Sequence, residues 1–329
     1  MMQTEIEIPG PVGPLSGTLS SPAAGDAPVV LIVPGSGPTD RNGNGPNGLQ
    51  ASTYRLLAEG LLGQGIASVR IDKRGMYGSA SAIAEADDVT IDDYAADVRA
   101  WVAAIRARTG ARRVWVLGHS EGGWVALSAA RQTADIHGLI LVSTPGRPLA
   151  QVLTQQLRSN PANAAVLGNA MSILESLEAG KTVDAATIDP ALMPLFRPQV
   201  QRFLMSELAI DPAALLAGYA KPVLIVQGAR DIQVGVQDAQ RLKDASPGAR
   251  LTIVANANTC SRPFTRIRST TILPRIRTRI SLWQAVWWKP LRRSFRHRQT
   301  IGARATRFRN KKPSDDPYDS IPGSTGLSR

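Results

Sequence analysis

Six short runs of mostly branched aliphatic residues constrain this chain more than anything else in it. They are "VVLIV" (29–33), "IASVRI" (66–71), "RVWVLG" (113–118), "GLILVS" (138–143), "PVLIVQG" (222–228) and "RLTIVA" (250–255). A strand with one wet face alternates apolar and polar residues. These runs do not, so each predicts a strand buried on both faces. Helical patterns fill the gaps near 50–63, 88–108, 121–133 and 235–245. Strand, helix, strand in repetition predicts an α/β fold: a doubly wound, mostly parallel sheet with helices on both sides. The opening "TEIEIPGPVGPLSGTLSSP" reads as two short strands forming an antiparallel edge. Residues 148–219 break the rhythm with helical segments punctuated by Pro161, Pro190, Pro194, Pro198 and Pro212, which predicts a helical insertion between two strands.

The net charge of +12 suggests nucleic acid or membrane until it is divided along the chain. Residues 259–329 hold 17 Lys+Arg and 3 Asp+Glu, a net of +14, which leaves −2 for residues 1–258. The basic character therefore belongs to the tail, and the first 258 residues carry no nucleic-acid signature. The single cysteine, Cys260, excludes an intramolecular disulfide. The N-terminus has no apolar signal core, and no run is apolar enough to span a membrane, so a cytoplasmic protein is expected.

The chemistry concentrates at Gly118-His119-Ser120-Glu121-Gly122, which follows the strand "RVWVLG" and opens the helix "GGWVALSAARQ". A serine on a tight strand-to-helix turn projects its hydroxyl above the sheet, and the flanking positions must be small because the backbone folds back on itself. His119 is a neighbour on that turn, so its side chain points away from the serine and packs behind it. His137 reads as a surface residue in a turn. An acyl-transfer serine also needs donors for a developing oxyanion. The backbone N–H of Glu121 is one candidate. The loop Pro34-Gly35-Ser36-Gly37 after "VVLIV" offers the N–H of Ser36 as the second. Asp231, in the loop after "PVLIVQG", is the candidate acid that would orient a histidine base.

In the segment "DRNGNG", Asp40, Asn42, Asn44 and Gly45 match the start of a calcium loop. The closing glutamate is Ala51, however, and a strand precedes the loop, so Asx-type turns are the expected chemistry. No metal or cofactor is implied.

Together "VVLIVPGSGPTDRNGN", "ASVRIDKRGMYGS", "GHSEGG" and "VLIVQGARDIQV", in this order, resemble the α/β-hydrolase superfamily, in its esterase or serine aminopeptidase-like branch. The resemblance covers roughly residues 3–258. It implies the α/β-hydrolase fold for 1–258, a helical cap at 148–219, hydrolysis of a carboxylic ester or similar acyl bond of a small molecule, and the triad order serine, acid, histidine. It also places the catalytic histidine a few residues past "RLTIVA", where this chain has Thr259; the next histidine is His297.

Residues 259–329 are rich in Arg, Pro, Ser and Thr, and low order is expected there. A single-base deletion accounts for both features. Removing one C from AAC-CAC-GTG-CTC-AAG turns Asn-His-Val-Leu-Lys into Asn-Thr-Cys-Ser-Arg, the sequence at Asn258 to Arg262. Two other readings stay open: a catalytically silent protein of this fold, and a binder of anionic surfaces through the basic tail.

Overall fold

The computed structural model describes residues 2–22, 27–46, 48, 50–255, 257, 267–268 and 279–280. The N-terminal segment forms β1 (Met2–Ile8) and β2 (Leu15–Ser21). The apolar runs form β3 (Val29–Val33), β4 (Ala67–Ile71), β5 (Val114–His119), β6 (Ile136–Val142), β7 (Val223–Gly228) and β8 (Arg250–Val254). These eight strands make one sheet in the order β1-β2-β4-β3-β5-β6-β7-β8. The β1–β2 and β2–β4 pairs are antiparallel and every other pair in the sheet is parallel, so the predicted antiparallel edge is present.

The helices are α1 (Thr53–Leu62), α2 (Ile91–Thr109), α3 (Glu121–Arg131), α4 (Leu149–Ser159), α5 (Leu167–Glu178), α6 (Met193–Phe196), α7 (Pro198–Leu208), α8 (Pro212–Ala217) and α9 (Val236–Ala245). Successive side chains of a strand point to opposite faces of the sheet, and both faces are apolar here. Leu31, Val33, Val116 and Leu139 pack toward Val98, Trp101 and Val102 of α2 and Val125 and Ala129 of α3. Val30, Ile32, Leu117 and Ile140 face Tyr54, Ala58 and Leu61 of α1. Helix α2 starts at a capping box. Thr90 Oγ1 accepts from the Asp93 N–H, and the Asp93 carboxylate accepts from the Thr90 N–H. It stops at Gly110, whose left-handed φ of 68° ends the helix.

Two expectations need correction. Strand β8 is not buried on both faces: Ile253 is 41 % exposed. It is the edge strand of this sheet, and among the described residues α1, at the far end, is the only helix contributing to the apolar cluster on its second face. His137 does not sit in a surface turn. It lies inside β6, half-buried, with its ring edge-on to Trp115 at 5.2 Å, and burial lowers its pKa.

Residues 148–219 hold α4 to α8. Leu153, Ile173, Leu174, Leu177, Phe196 and Leu204 form a separate apolar cluster there, while Leu216 of α8 joins the main core. This insertion meets the sheet domain along α2 and α7. Tyr94 and Phe203 stack edge to face at 6.0 Å, and the N–H of Ile91 donates to Ser206 Oγ at 3.1 Å. At the same seam three ionisable side chains are almost completely buried: Lys73, Glu121 and, from α7, Glu207. Lys73 Nζ lies 3.1 Å from Glu121 Oε1 and 5.1 Å from the Tyr94 ring centroid. Glu207 shares a side-chain hydrogen bond with Glu121. Burial pushes the Glu207 carboxyl well above the usual carboxylate range, the neighbouring Glu121 charge adds to this, and Lys73 opposes it.

Two outcomes are expected. Trp101 is fully buried, and a Cβ added to Gly17 would come within 3.0 Å of Trp101 Cη2, so the strand opposite is shaped around the indole. Trp101→Ala should cost about 3–5 kcal/mol in urea unfolding. Trp101→Phe should cost clearly less, because the indole Nε1 has no partner among the described residues. Equal losses in the two variants would refute this. The second outcome concerns Glu207, whose folded-state pKa lies above its unfolded one. The stability linked to it is complete below the unfolded pKa and is lost as pH rises through the folded one. Thermal melts of Glu207→Gln should therefore exceed wild type by a margin that widens as pH climbs from about 4.3. A margin independent of pH would exclude the linkage.

Candidate active site

Ser120 sits between the last residue of β5 and the first of α3, with φ 54° and ψ −122°. For a residue with a Cβ this is strained backbone, and such strain persists only where the surroundings enforce it. Three glycines make the turn possible. A Cβ on Gly118 would lie 2.2 Å from Gly122 O, one on Gly122 would lie 2.4 Å from Pro34 O, and one on Gly123 would lie 2.1 Å from Thr144 Oγ1. Hydrogen bonds complete the turn. The Ser120 N–H donates to Val142 O at 2.8 Å, and the Gly123 N–H donates to Ser120 O at 2.9 Å. The side chain is half-buried at the C-terminal edge of the parallel strands, above the positive end of the α3 dipole.

The loop after β3 lies against this turn. A Cβ on Gly35 would be 3.1 Å from His119 O and 3.3 Å from Ser120 Cβ, a tight fit, so glycine eases the close approach of the loop. Both backbone groups of Gly35 are engaged: its N–H donates to Tyr54 Oη at 3.1 Å, and its carbonyl accepts from Lys73 Nζ at 2.8 Å. Ser36 is exposed. No acceptor among the described residues takes the N–H of Ser36 or that of Glu121. His119 Nδ1 hydrogen-bonds Tyr54 Oη at 2.9 Å, and the two rings meet edge to face at 5.7 Å, so the imidazole packs against α1 behind the turn.

Asp231 lies past the end of β7, two strands along the same edge of the sheet. Its Oδ1 accepts from the N–H groups of Gln233 (2.9 Å) and Val234 (3.0 Å), and its Oδ2 accepts from Nε2 of the fully buried Gln227 at 3.2 Å. Three donors hold the carboxylate at one orientation. The chain leaving β8 runs beside this loop, for the Arg230 N–H donates to Ala257 O at 3.1 Å. Thr259, Cys260 and His297 lie outside the described residues.

The segment after Ser36 is built from Asx turns. Asp40 Oδ1 accepts from the N–H groups of Asn42 (2.8 Å) and Asn44 (2.7 Å), Asn44 Oδ1 accepts from the Ser52 N–H at 2.9 Å, and Arg70 donates to Asn42 Oδ1. These oxygens are committed to the turn, and no group of three or more metal-binding side chains occurs among the described residues. The structure thus brings together Ser120, Glu121 and the Gly35–Ser36 loop, and sets Asp231 on the same edge. Sequence reasoning missed Tyr54, Lys73 and Gln227, whose buried polar ends support that edge. Gln227 lies in a run read as buried, but nothing in the local sequence of Tyr54 or Lys73 separates them from surface residues.

The chain's relatives agree with this architecture. The family model described as serine aminopeptidase, S33, matches residues 48–258, more than half of the chain. Similar solved structures include an α/β hydrolase, GrgF from Penicillium sp. sh18, at TM-score 0.55 and 16% identity over 79% of this chain and 91% of that one. Est1E from Butyrivibrio proteoclasticus, bound to ferulic acid, aligns at TM-score 0.51 and 20% identity over 75% and 88%. The Pyrococcus furiosus esterase Pf2001 aligns at TM-score 0.50 and 17% identity over 78% and 84%. At these identities the structures speak for the fold alone, and no curated protein sequence matches the chain. With the family model spanning the serine turn, the acid loop and the insertion, the chain belongs to the serine aminopeptidase-like (S33) family of α/β hydrolases.

Proposed function

We propose that this protein is a serine hydrolase of carboxylic esters or similar acyl bonds, with Ser120 as its nucleophile. The observation that carries the reading is the strained Ser120 backbone at a strand-to-helix turn that glycines alone permit. Ser120 Oγ attacks the acyl carbonyl as its proton passes to the base, or to solvent where no histidine serves, and the tetrahedral oxyanion accepts hydrogen bonds from the N–H groups of Glu121 and Ser36, aided by the α3 dipole. Loss of the leaving group gives an acyl-enzyme that water resolves. Asp231 is the acid that orients the base. The insertion at 148–219 serves as a cap shaping the acyl pocket, and esters are the preferred class because the similar Pyrococcus furiosus protein is named an esterase.

The base is the weak member of this machinery. Its family position is Thr259, and a neutral hydroxyl cannot take the serine proton at neutral pH. Removing the histidine of an intact triad costs on the order of a millionfold in kcat, as in subtilisin, so slow turnover is expected here.

The test is p-nitrophenyl acetate hydrolysis by wild type, Ser120→Ala, Thr259→His and the Thr259→His/Ser120→Ala double variant. Thr259→His should raise the rate about a hundredfold or more over wild type, and the double variant should lose that gain. A Thr259→His variant no faster than wild type, or a gain that survives Ser120→Ala, would overturn the reading. Rapid wild-type hydrolysis that Ser120→Ala abolishes would keep the nucleophile and reject Thr259 as the seat of the base.

A further inference from the structure

We infer that Lys73 is the positioning residue of the oxyanion site, a role that rests on the reading of Ser120 as nucleophile. Lys73 closes β4 on its C-terminal side and is almost fully buried, an unusual place for an ammonium. Burying a cation is costly unless strong acceptors surround it, so its acceptors show what it holds in place. There are two. One is Gly35 O at 2.8 Å and the other is Glu121 Oε1 at 3.1 Å.

Each acceptor belongs to a segment that carries one of the two oxyanion donors. Gly35 O and the Ser36 N–H are part of a single planar trans peptide, in which carbonyl and N–H point in opposite directions. Anchoring the carbonyl inward on Lys73 therefore turns the Ser36 N–H outward, and that loop lies against Ser120. A peptide between glycine and an exposed serine would otherwise rotate at little cost. Glu121 contributes its own N–H from the first position of α3, where helix geometry leaves it without an intrahelical acceptor. Its side chain reaches back to the same ammonium. One cation thus sets the separation of two amides that come from residues 85 positions apart in the chain. Tyr54 Oη completes the clamp by accepting from the Gly35 N–H.

Lys73 also faces the Tyr94 ring and, through Glu121, Glu207 of the insertion. The clamp therefore continues into the seam on which the insertion rests. Lys73 itself does not touch the substrate.

The experiment has two readouts, one of which needs no reactive serine. Phenylboronic acid, which forms a tetrahedral adduct on an active-site serine, is titrated into wild type, Ser120→Ala and Lys73→Met, and the crystal structure of Lys73→Met is solved. Lys73→Met should keep a cooperative melt, weaken phenylboronic acid binding tenfold or more, and show the Gly35–Ser36 peptide rotated. For comparison, deleting a single oxyanion donor costs about 10²–10³ in rate. Because Lys73→Met leaves Glu121 buried without its cation, Lys73→Met/Glu121→Gln is compared with Glu121→Gln. The same tenfold difference and the same rotation are expected between these two.

Unchanged affinity with an unrotated peptide, in either pair, overturns the inference and leaves the hydrolase reading intact. If wild type fails to bind phenylboronic acid, or binds it as Ser120→Ala does, the hydrolase reading falls. In that case the peptide orientation in the Lys73→Met structure alone decides whether Lys73 holds the loop: a rotated peptide supports it and an unrotated one refutes it.

Discussion

Everything at the functional edge of this protein depends on how closely α3 approaches the end of β3. Pro34 O and Val33 O lie where a side chain on Gly122 would begin, at 2.4 and 2.6 Å. No residue but glycine permits that contact, and the contact brings the amide at the start of α3 beside the loop carrying Ser36. The cost is the left-handed φ of Ser120, of order 1–3 kcal/mol for a residue in a sparsely populated region. The offset is packing. Residues 121–130 of α3 are all buried, between β5, β6, α2 and α8, so the helix cannot relax the turn without losing most of its apolar contacts. Strain and burial are thus two halves of one arrangement, and the helix that stores the strain also aims its dipole at the serine.

A second layer of the same logic is polar. Burying Lys73, Glu121 and Glu207 together is expensive, and one cation balances only one carboxylate. Burial and the Glu121 charge push the Glu207 carboxyl upward, toward its neutral form, which lessens that imbalance. A hydrophobic trio of similar volume would stabilise the fold at least as well. What the charged version adds is direction, because hydrogen bonds fix the angle of the Gly35 carbonyl and apolar contacts cannot. This also couples the insertion to the serine turn, since Glu207 belongs to α7 and Glu121 to α3.

Much of this was legible in the sequence, for identifiable reasons. The strands could be read because a parallel sheet with two apolar faces writes uninterrupted Val/Ile/Leu runs. The serine turn could be read because the backbone demands glycine at fixed offsets from it. The errors are equally physical. "RLTIVA" has the composition of a central strand but closes an edge, since burial of an edge strand depends on what lies beyond it and not on its own residues. His137 reads as a turn residue, yet it and Gly138 continue the strand. That glycine instead makes room for Trp115, whose Cζ3 would lie 2.3 Å from an added Cβ. The Lys73–Glu121–Glu207 node was invisible. Its members are 48 and 86 residues apart, and a buried lysine has no local signature.

The proposed machinery divides along the chain at the end of β8. The proposed nucleophile, both proposed oxyanion donors and the proposed acid sit on loops anchored in β3, β5 and β7, and the hydrogen bonds described above for them come from residues before 258. The base would come from the one segment that follows the last strand. Ala257 is tied to the acid loop through Arg230, whose N–H donates to its carbonyl. On the proposed reading, nucleophile, oxyanion donors and acid are set by the packing of the sheet and its helices, and the base alone is left to the chain beyond β8.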